Sequence, residues 1–350
     1  MTRTENGSVV FRTSRDVKEY APRRDRLFSA THDEIRSGAT ADVYFVRTHE
    51  ILKLEGKSDT VVTAEIFSGR SGIVAGTTEC LELLKGLPLE IWGVEEGQSF
   101  CERDTLMRII GPYSLFGPYE TALLGILASS SAWATAARQC KEAAQGAPFY
   151  CFGARHIHPA VAPVMERAAV VGGAAGASCI LGAKLLGREP VGTIPHALVL
   201  IMGDTVKTAV AYNTHMPPDA PRTILVDTFH DEAEEAVRVA RALGMDMGGV
   251  RLDTPAERGG VTEGLVREVR ARLDQAGFGH VKIFVSGGLT PERMTALISA
   301  GADAFGVGSY ISAARPLDMT MDIKAIEGKP IAKRGRIPGP IPNPKLKKLA

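Results

Sequence analysis

Residues 282–309 read KIFVSGGLTPERMTALISAGADAFGVGS. The apolar run Lys282–Val285 ends in Ser286-Gly287-Gly288, and Thr290 and Pro291 then open an amphipathic helix that runs to Ala300. Thr290 is placed to cap that helix and Pro291 to occupy its first position, where a missing N–H costs nothing. A second apolar run, Ala304–Val307, ends in Gly306-Val307-Gly308-Ser309. Strand, glycine turn, helix, strand is a β/α unit, and its two strands must be parallel.

The same rhythm extends upstream. Apolar segments recur at Phe149–Phe152, Thr193–Ile201, Thr223–Val226 and Gly249–Leu252, and helices are predicted at Asp231–Leu243, with Asp231 as N-cap, and at Thr262–Ala276. Repetition of this kind predicts an irregular β/α barrel over residues 148–315. Before it, from Arg26 to Gly111, come the strand candidates Asp42–Val46, Val61–Phe67, Leu89–Trp92 and Leu106–Ile110. They predict a β-rich α+β domain over 26–118, after an N-terminal extension of residues 1–25. Glu120–Ala144 has the small, apolar interior of a long helix and makes 119–147 a connecting helix; residues 316–350 form a basic segment expected to return to the N-terminal domain. The fold class is therefore α/β, a barrel with a second, α+β domain.

Composition excludes several classes. With 350 residues, 45% apolar and 23% charged, the chain is globular rather than disordered or fibrous. The first residues have no apolar core of a secretory signal, and the longest uncharged stretch, Thr121–Ala137, is 17 residues and studded with Ser and Thr, which predicts a buried helix and no membrane partner. Cys80, Cys101, Cys140, Cys151 and Cys179 are scattered and odd in number, so no disulfide framework or zinc knuckle is expected and a cytoplasmic location is. The net charge of +1 conceals basic ends: residues 1–28 carry +3 and 324–350 carry +7, leaving −9 on the middle. No aromatic residues interleave the C-terminal cations, which argues against nucleic acid.

In a β/α barrel the chemistry lies where strands end. The residues there are Arg155, His156 and His158, then His196, Asp227, Asp253, Ser286-Gly287-Gly288 and Gly306-Val307-Gly308-Ser309. Paired glycine loops let backbone amides approach an anion, with a helix end behind them, and predict a phosphate site. Asp227 and Asp253 suit ribose hydroxyls or a magnesium ion, although Asp227 could instead cap the next helix and Asp253 pair with Arg251. His196 is equally readable as a functional group or a core histidine. Arg155 offers a fork for a carboxylate or pyrophosphate, with the Phe152 ring three residues before it.

These residues resemble the type II phosphoribosyltransferases of NAD biosynthesis, and within them the nicotinate phosphoribosyltransferases. The collinear matches are Gly38-Ala-Thr-Ala-Asp-Val-Tyr44, Gly111-Pro-Tyr-Ser-Leu-Phe-Gly-Pro-Tyr-Glu-Thr-Ala-Leu-Leu-Gly125, Phe152-Gly-Ala-Arg155, Gly192-Thr-Ile-Pro-His196, Val226-Asp227-Thr228, Val250-Arg251-Leu-Asp253, Ser286-Gly-Gly288 and Gly328-Lys-Pro-Ile-Ala-Lys-Arg-Gly335. The resemblance implies transfer of phosphoribosyl from phosphoribosyl pyrophosphate (PRPP) to nicotinate in a ligase-type reaction coupled to ATP, within a homodimer or higher oligomer of shared active sites. It implies that Tyr44, from the other subunit, and Phe152 sandwich the pyridine ring. Arg155, His158 and Arg251 would surround the base and PRPP, Asp227 and Asp253 would lie near Mg2+ and ribose, and Ser286, Gly287, Gly288, Gly306, Val307, Gly308 and Ser309 would hold the 5′-phosphate. His196 matches a histidine phosphorylated by ATP. Ser178 falls where nicotinamide-using relatives have an aspartate, and a hydroxyl there tolerates a carboxylate. Many relatives have Arg-Arg where this chain has Arg155-His156, a departure that puts the second arginine's contacts in question. The alternatives are a quinolinate or nicotinamide phosphoribosyltransferase, a sugar-phosphate isomerase or aldolase on the same barrel, for which no strand-end lysine is evident, and a non-enzymatic nucleotide or RNA binder.

Overall fold

The computed structural model describes residues 10–350; the first nine, which hold part of the N-terminal extension and of the stretch without a secretory signal, lie outside the described residues. The chain divides into two compact units, one made of the residues up to Ala134 together with Arg315–Ala350, the other of Thr135–Ala314. Helix Glu120–Ala143 runs through the division. No helix among the described residues is long and apolar enough to cross a membrane.

The first unit is an α+β domain around a six-stranded antiparallel sheet, in the order Lys329–Pro330, Met319–Ile326, Val61–Ser68, Thr105–Pro112, Glu90–Gly93, Lys347–Lys348. The central strand alternates as a half-buried strand should: Val62, Ala64 and Ile66 are buried, with Ile66 opposite Met107 on one side and Met321 on the other. Its inward charge, Glu65, is buried and satisfied by Arg108 Nε at 2.8 Å and the Ile341 amide at 3.1 Å.

One strand expected in this unit is a helix. Asp42–Val46 looked extended because Val, Tyr, Phe and Val are β-formers. In the structure Asp42 sits at the N-cap position of helix Val43–Leu54, continued by the helix-forming Glu50-Ile-Leu-Lys-Leu54. Phe45 and Val46 are buried while Tyr44 is left outside, a pattern set by the 3.6-residue period rather than by alternation.

The second unit carries six parallel strands in the order Gly176–Ala177, Phe149–Cys151, Ala304–Val307, Lys282–Val285, Gly249–Leu252, Thr223–Leu225. The helices between them are capped as their sequences require: Asp231 accepts from the Ala233 and Glu234 amides, Thr262 from Leu265 and Thr290 from Arg293. The sheet is an arc whose edge strands do not pair, so the barrel is irregular and open. The gap falls where Thr193–Ile201 was read as a strand. Pro190 and Pro195 bring no N–H, so a continuous ladder is interrupted there. Instead Val191 donates to the Ala177 carbonyl at 2.9 Å, and the chain turns into the short helix His196–Met202.

Candidate active site

A cleft of about 350 Å3 opens at the carboxyl ends of the second unit's strands. Phe152, Arg155, Ser178, Arg251 and Asp253 line it, with Ser286, Gly287, Gly288, Gly306, Gly308 and Ser309 from the two glycine loops. His156, named with them from the sequence, and Thr193 also line it.

Arg251 organises the cleft. Its Nε donates to Ser286 Oγ, one terminal nitrogen to Thr193 Oγ1 and the other to Asp253 Oδ2, each at 2.8 Å. Ser286 in turn donates to Asp253 Oδ1 at 2.8 Å. The pairing of Asp253 with Arg251 is thus real, and it holds the carboxylate in place at the rim. The Arg251 guanidinium also lies 5.7 Å from the centroid of the Phe152 ring, which stacks on Phe284 at 5.7 Å and 18°. Phe152 is a fixed wall supported by the protein's own groups.

Asp227 does not cap the following helix; Asp231 does. The Asp227 side chain is wholly buried and neither carboxylate oxygen has a hydrogen-bond donor. Burial pushes its carboxyl above the usual range, partly offset by His196. His196 Nε2 is 3.5 Å from Asp227 Oδ2 and 3.8 Å from Asp253 Oδ2, electrostatic approaches rather than hydrogen bonds, while Nδ1 lies 3.0 Å from Thr228 Oγ1.

The glycine loops differ in why they need glycine. Gly287 and Gly288 have φ of +91° and +57°, the left-handed region. Among the described residues, the amides of Gly287, Gly288 and Leu289 donate to no protein acceptor. At Gly306 a Cβ would lie 2.5 Å from the Phe152 ring, and at Gly308 2.6 Å from His156 and 2.9 Å from the Phe152 carbonyl. Those two glycines are demanded by packing of the neighbouring loop. Val307 is buried, and only its carbonyl, which accepts from the Phe152 amide, serves the site.

Three further residues were named from the sequence. His158 is exposed and its Nδ1 accepts from the Ala160 amide at 3.1 Å, so it caps its own turn. Tyr44 belongs to the first unit and is 55% exposed. Ser178 lines the cleft, but its hydroxyl proton goes to Glu166 Oε1 at 2.7 Å, with the Cys179 amide on the other oxygen at 2.6 Å. Glu166 is fully buried, and burial raises its pKa. Sequence reading missed it because an acid in Ala162–Gly172 looks like any helix-surface residue; the signal was that Ala162, Pro163, Ala169 and Val170, which share its face of the helix, are all apolar.

Comparison with known proteins gives the family. The model of the quinolinate phosphoribosyl transferase N-terminal domain matches residues 42–131, and that of the C-terminal domain residues 133–322. A solved nicotinate-nucleotide pyrophosphorylase from Pyrococcus furiosus is 44% identical with a TM-score of 0.85, covering 89% of this chain and 82% of that one. A nicotinate phosphoribosyltransferase of Mycobacterium tuberculosis is 31% identical over 269 residues, 73% of this chain but only 56% of the relative's length. Human nicotinic acid phosphoribosyltransferase, at 18% identity and a TM-score of 0.67 over 85% of this chain and 77% of that one, shares the fold.

These matches correct the resemblance to nicotinate phosphoribosyltransferases and, with it, nicotinate as substrate, ATP as co-substrate, the ligase-type reaction and the phosphohistidine. With both domain models matched in order along residues 42–322, the chain belongs to the quinolinate phosphoribosyl transferase family.

Proposed function

We propose that the protein transfers the phosphoribosyl group of PRPP to quinolinate, releasing pyrophosphate and carbon dioxide and leaving nicotinate mononucleotide. The observation that carries this reading is the cleft itself, whose lining includes Gly287 and Gly288 with unpaired amides, Arg155 and the Arg251–Asp253–Ser286 network. The amides suit the 5′-phosphate, the exposed Arg155 suits a carboxylate or pyrophosphate, and Asp253 suits a ribose hydroxyl.

Among the described residues no cluster of three His, Cys, Asp or Glu side chains could hold a metal by itself. Asp227, with two orphaned buried oxygens, and Asp253 nevertheless fit a Mg2+ that takes one or two carboxylates and completes its shell with waters and substrate phosphates. Bound there, it would neutralise charge developing on pyrophosphate. The protein's own part is to position. Arg251 fixes Asp253, and His196 is held between Thr228 at Nδ1 and the two carboxylates that face its Nε2. Phe152 holds the pyridine in line, so an encounter of two substrates becomes a positioned one. The ring nitrogen displaces pyrophosphate at C1 of the ribose. The 2-carboxylate then departs as carbon dioxide, its bonding pair staying on C2 beside the cationic nitrogen until a proton replaces it.

A cytoplasmic location and a homodimer with shared sites, to which the exposed Tyr44 would be lent, belong to the same proposal. The test is incubation with PRPP, Mg2+ and each of quinolinate, nicotinate and nicotinamide, without ATP. Nicotinate mononucleotide and carbon dioxide in equal amounts from quinolinate are expected; nucleotide formed only from another base would overturn the assignment.

A further inference from the structure

We propose that Arg293, which lines no part of the cleft, is the positioning residue of the phosphate loop; the inference rests on the reading of that loop as the 5′-phosphate site. Arg293 is on helix Pro291–Ser299, one turn beyond the glycines. One terminal nitrogen donates to the carbonyls of both Gly287, at 3.0 Å, and Gly288, at 2.8 Å; the other donates to the Val261 carbonyl at 3.0 Å.

These bonds decide where the amides point. In a trans peptide the C=O and the following N–H lie on opposite sides, and the structure contains no cis peptide among the described residues. The Gly287 carbonyl shares its peptide with the Gly288 amide, and the Gly288 carbonyl with the Leu289 amide. Drawing both carbonyls toward Arg293 therefore turns both N–H groups the other way, on the side where Gly287 and Gly288 line the cleft. They are the same amides that lack a protein acceptor. A cation on the carbonyl end also polarises each peptide, strengthening its N–H as a donor. The Val261 bond ties in the loop that follows Asp253, so one guanidinium fixes two strand-end turns at once. Lysine could not do this, since a single ammonium cannot span three carbonyls in a planar fork.

The test uses the full-length enzyme with Arg293→Lys and Arg293→Gln, measuring ribose 5-phosphate binding by calorimetry, KM for PRPP and for the pyridine substrate, and thermal melting. Ribose 5-phosphate affinity and KM for PRPP are expected to worsen about tenfold in the Lys variant and about a hundredfold in the Gln variant, with the pyridine KM and the melting point close to wild type. Equal losses for both substrates, or a fall in melting point that accounts for the loss, would reduce Arg293 to a brace and overturn the proposal. Gly287→Val separates it from the parent reading. If that variant weakens ribose 5-phosphate while both Arg293 variants do not, the positioning role alone fails; if Gly287→Val leaves binding intact, the phosphate loop itself is wrong.

Discussion

Asp227 keeps a carboxylate in a place that stability alone would not choose. Its oxygens are buried without donors, and its pKa is raised by that burial. A carboxyl whose folded pKa exceeds its unfolded value favours the fold at low pH and loses that contribution as pH rises above its ordinary 3.8. Asp227→Asn should therefore melt at or above the wild-type temperature near neutral pH while activity falls by about a hundredfold or more, a trade typical of functional sites. Thermal melts beside steady-state rates check both halves; a lower melting point with full activity would contradict them. A different balance holds at Gly308. A Cβ there meets His156 at 2.6 Å and the Phe152 carbonyl at 2.9 Å, so Gly308→Ala should cost about 1–3 kcal/mol in denaturant unfolding as well as substrate affinity. The strand-end positions of Asp227, Asp253, Arg155 and the Ser286 loop were legible because the β/α rhythm fixes where each strand stops. Glu166 and Thr228 were not, since they reach the site only through Ser178 and His196.

At the scale of elements, strands next to glycines and helices with capping residues were readable, and the failures have a common cause. Val43–Leu54 and His196–Met202 begin with β-forming or proline-broken sequence; the first is helical through burial of Phe45 and Val46 and the helix formers of its second half, while in the second only Val199 is buried and the helix starts directly after Pro195 at the N-cap position. The long helix Glu120–Ala143 was read correctly, but not the state of its first residue. Burial raises the Glu120 carboxyl to about 7, against a partial offset from Tyr113, whose hydroxyl is 3.4 Å away, and Lys333. Between its ordinary 4.5 and about 7 the folded protein holds a proton that the unfolded chain has lost, so stability declines as pH rises through that window. Glu120→Gln should flatten the decline. Melting curves at half-unit steps of pH from 4 to 8 would show it, and an unchanged slope would mean Glu120 titrates normally.

For the whole molecule, the C-terminal segment is part of the first unit's sheet. Lys347 and Lys348 pair with Gly93 and Trp92, Asn343 donates to the Thr105 carbonyl at 2.8 Å, and the Ile341 amide and carbonyl engage Glu65 and Arg108. Deleting residues 341–350 should destabilise this unit by roughly 2–4 kcal/mol, because a buried acid loses a donor and an edge strand is laid open. Urea unfolding followed through Trp92 would report it. The positive charge counted at this end of the chain was plain from composition, yet its role was not, because pairing with Glu90–Gly93 is a long-range contact that no local pattern records. The same arrangement sets an order of events on the ribosome. Strand Val61–Ser68 emerges early, but its partner Met319–Ile326 is made some 250 residues later, after the second unit has been synthesised in one contiguous piece. The nascent first unit must wait with one side of its central strand unpaired, which makes that strand the point where premature aggregation or chaperone capture would act during translation.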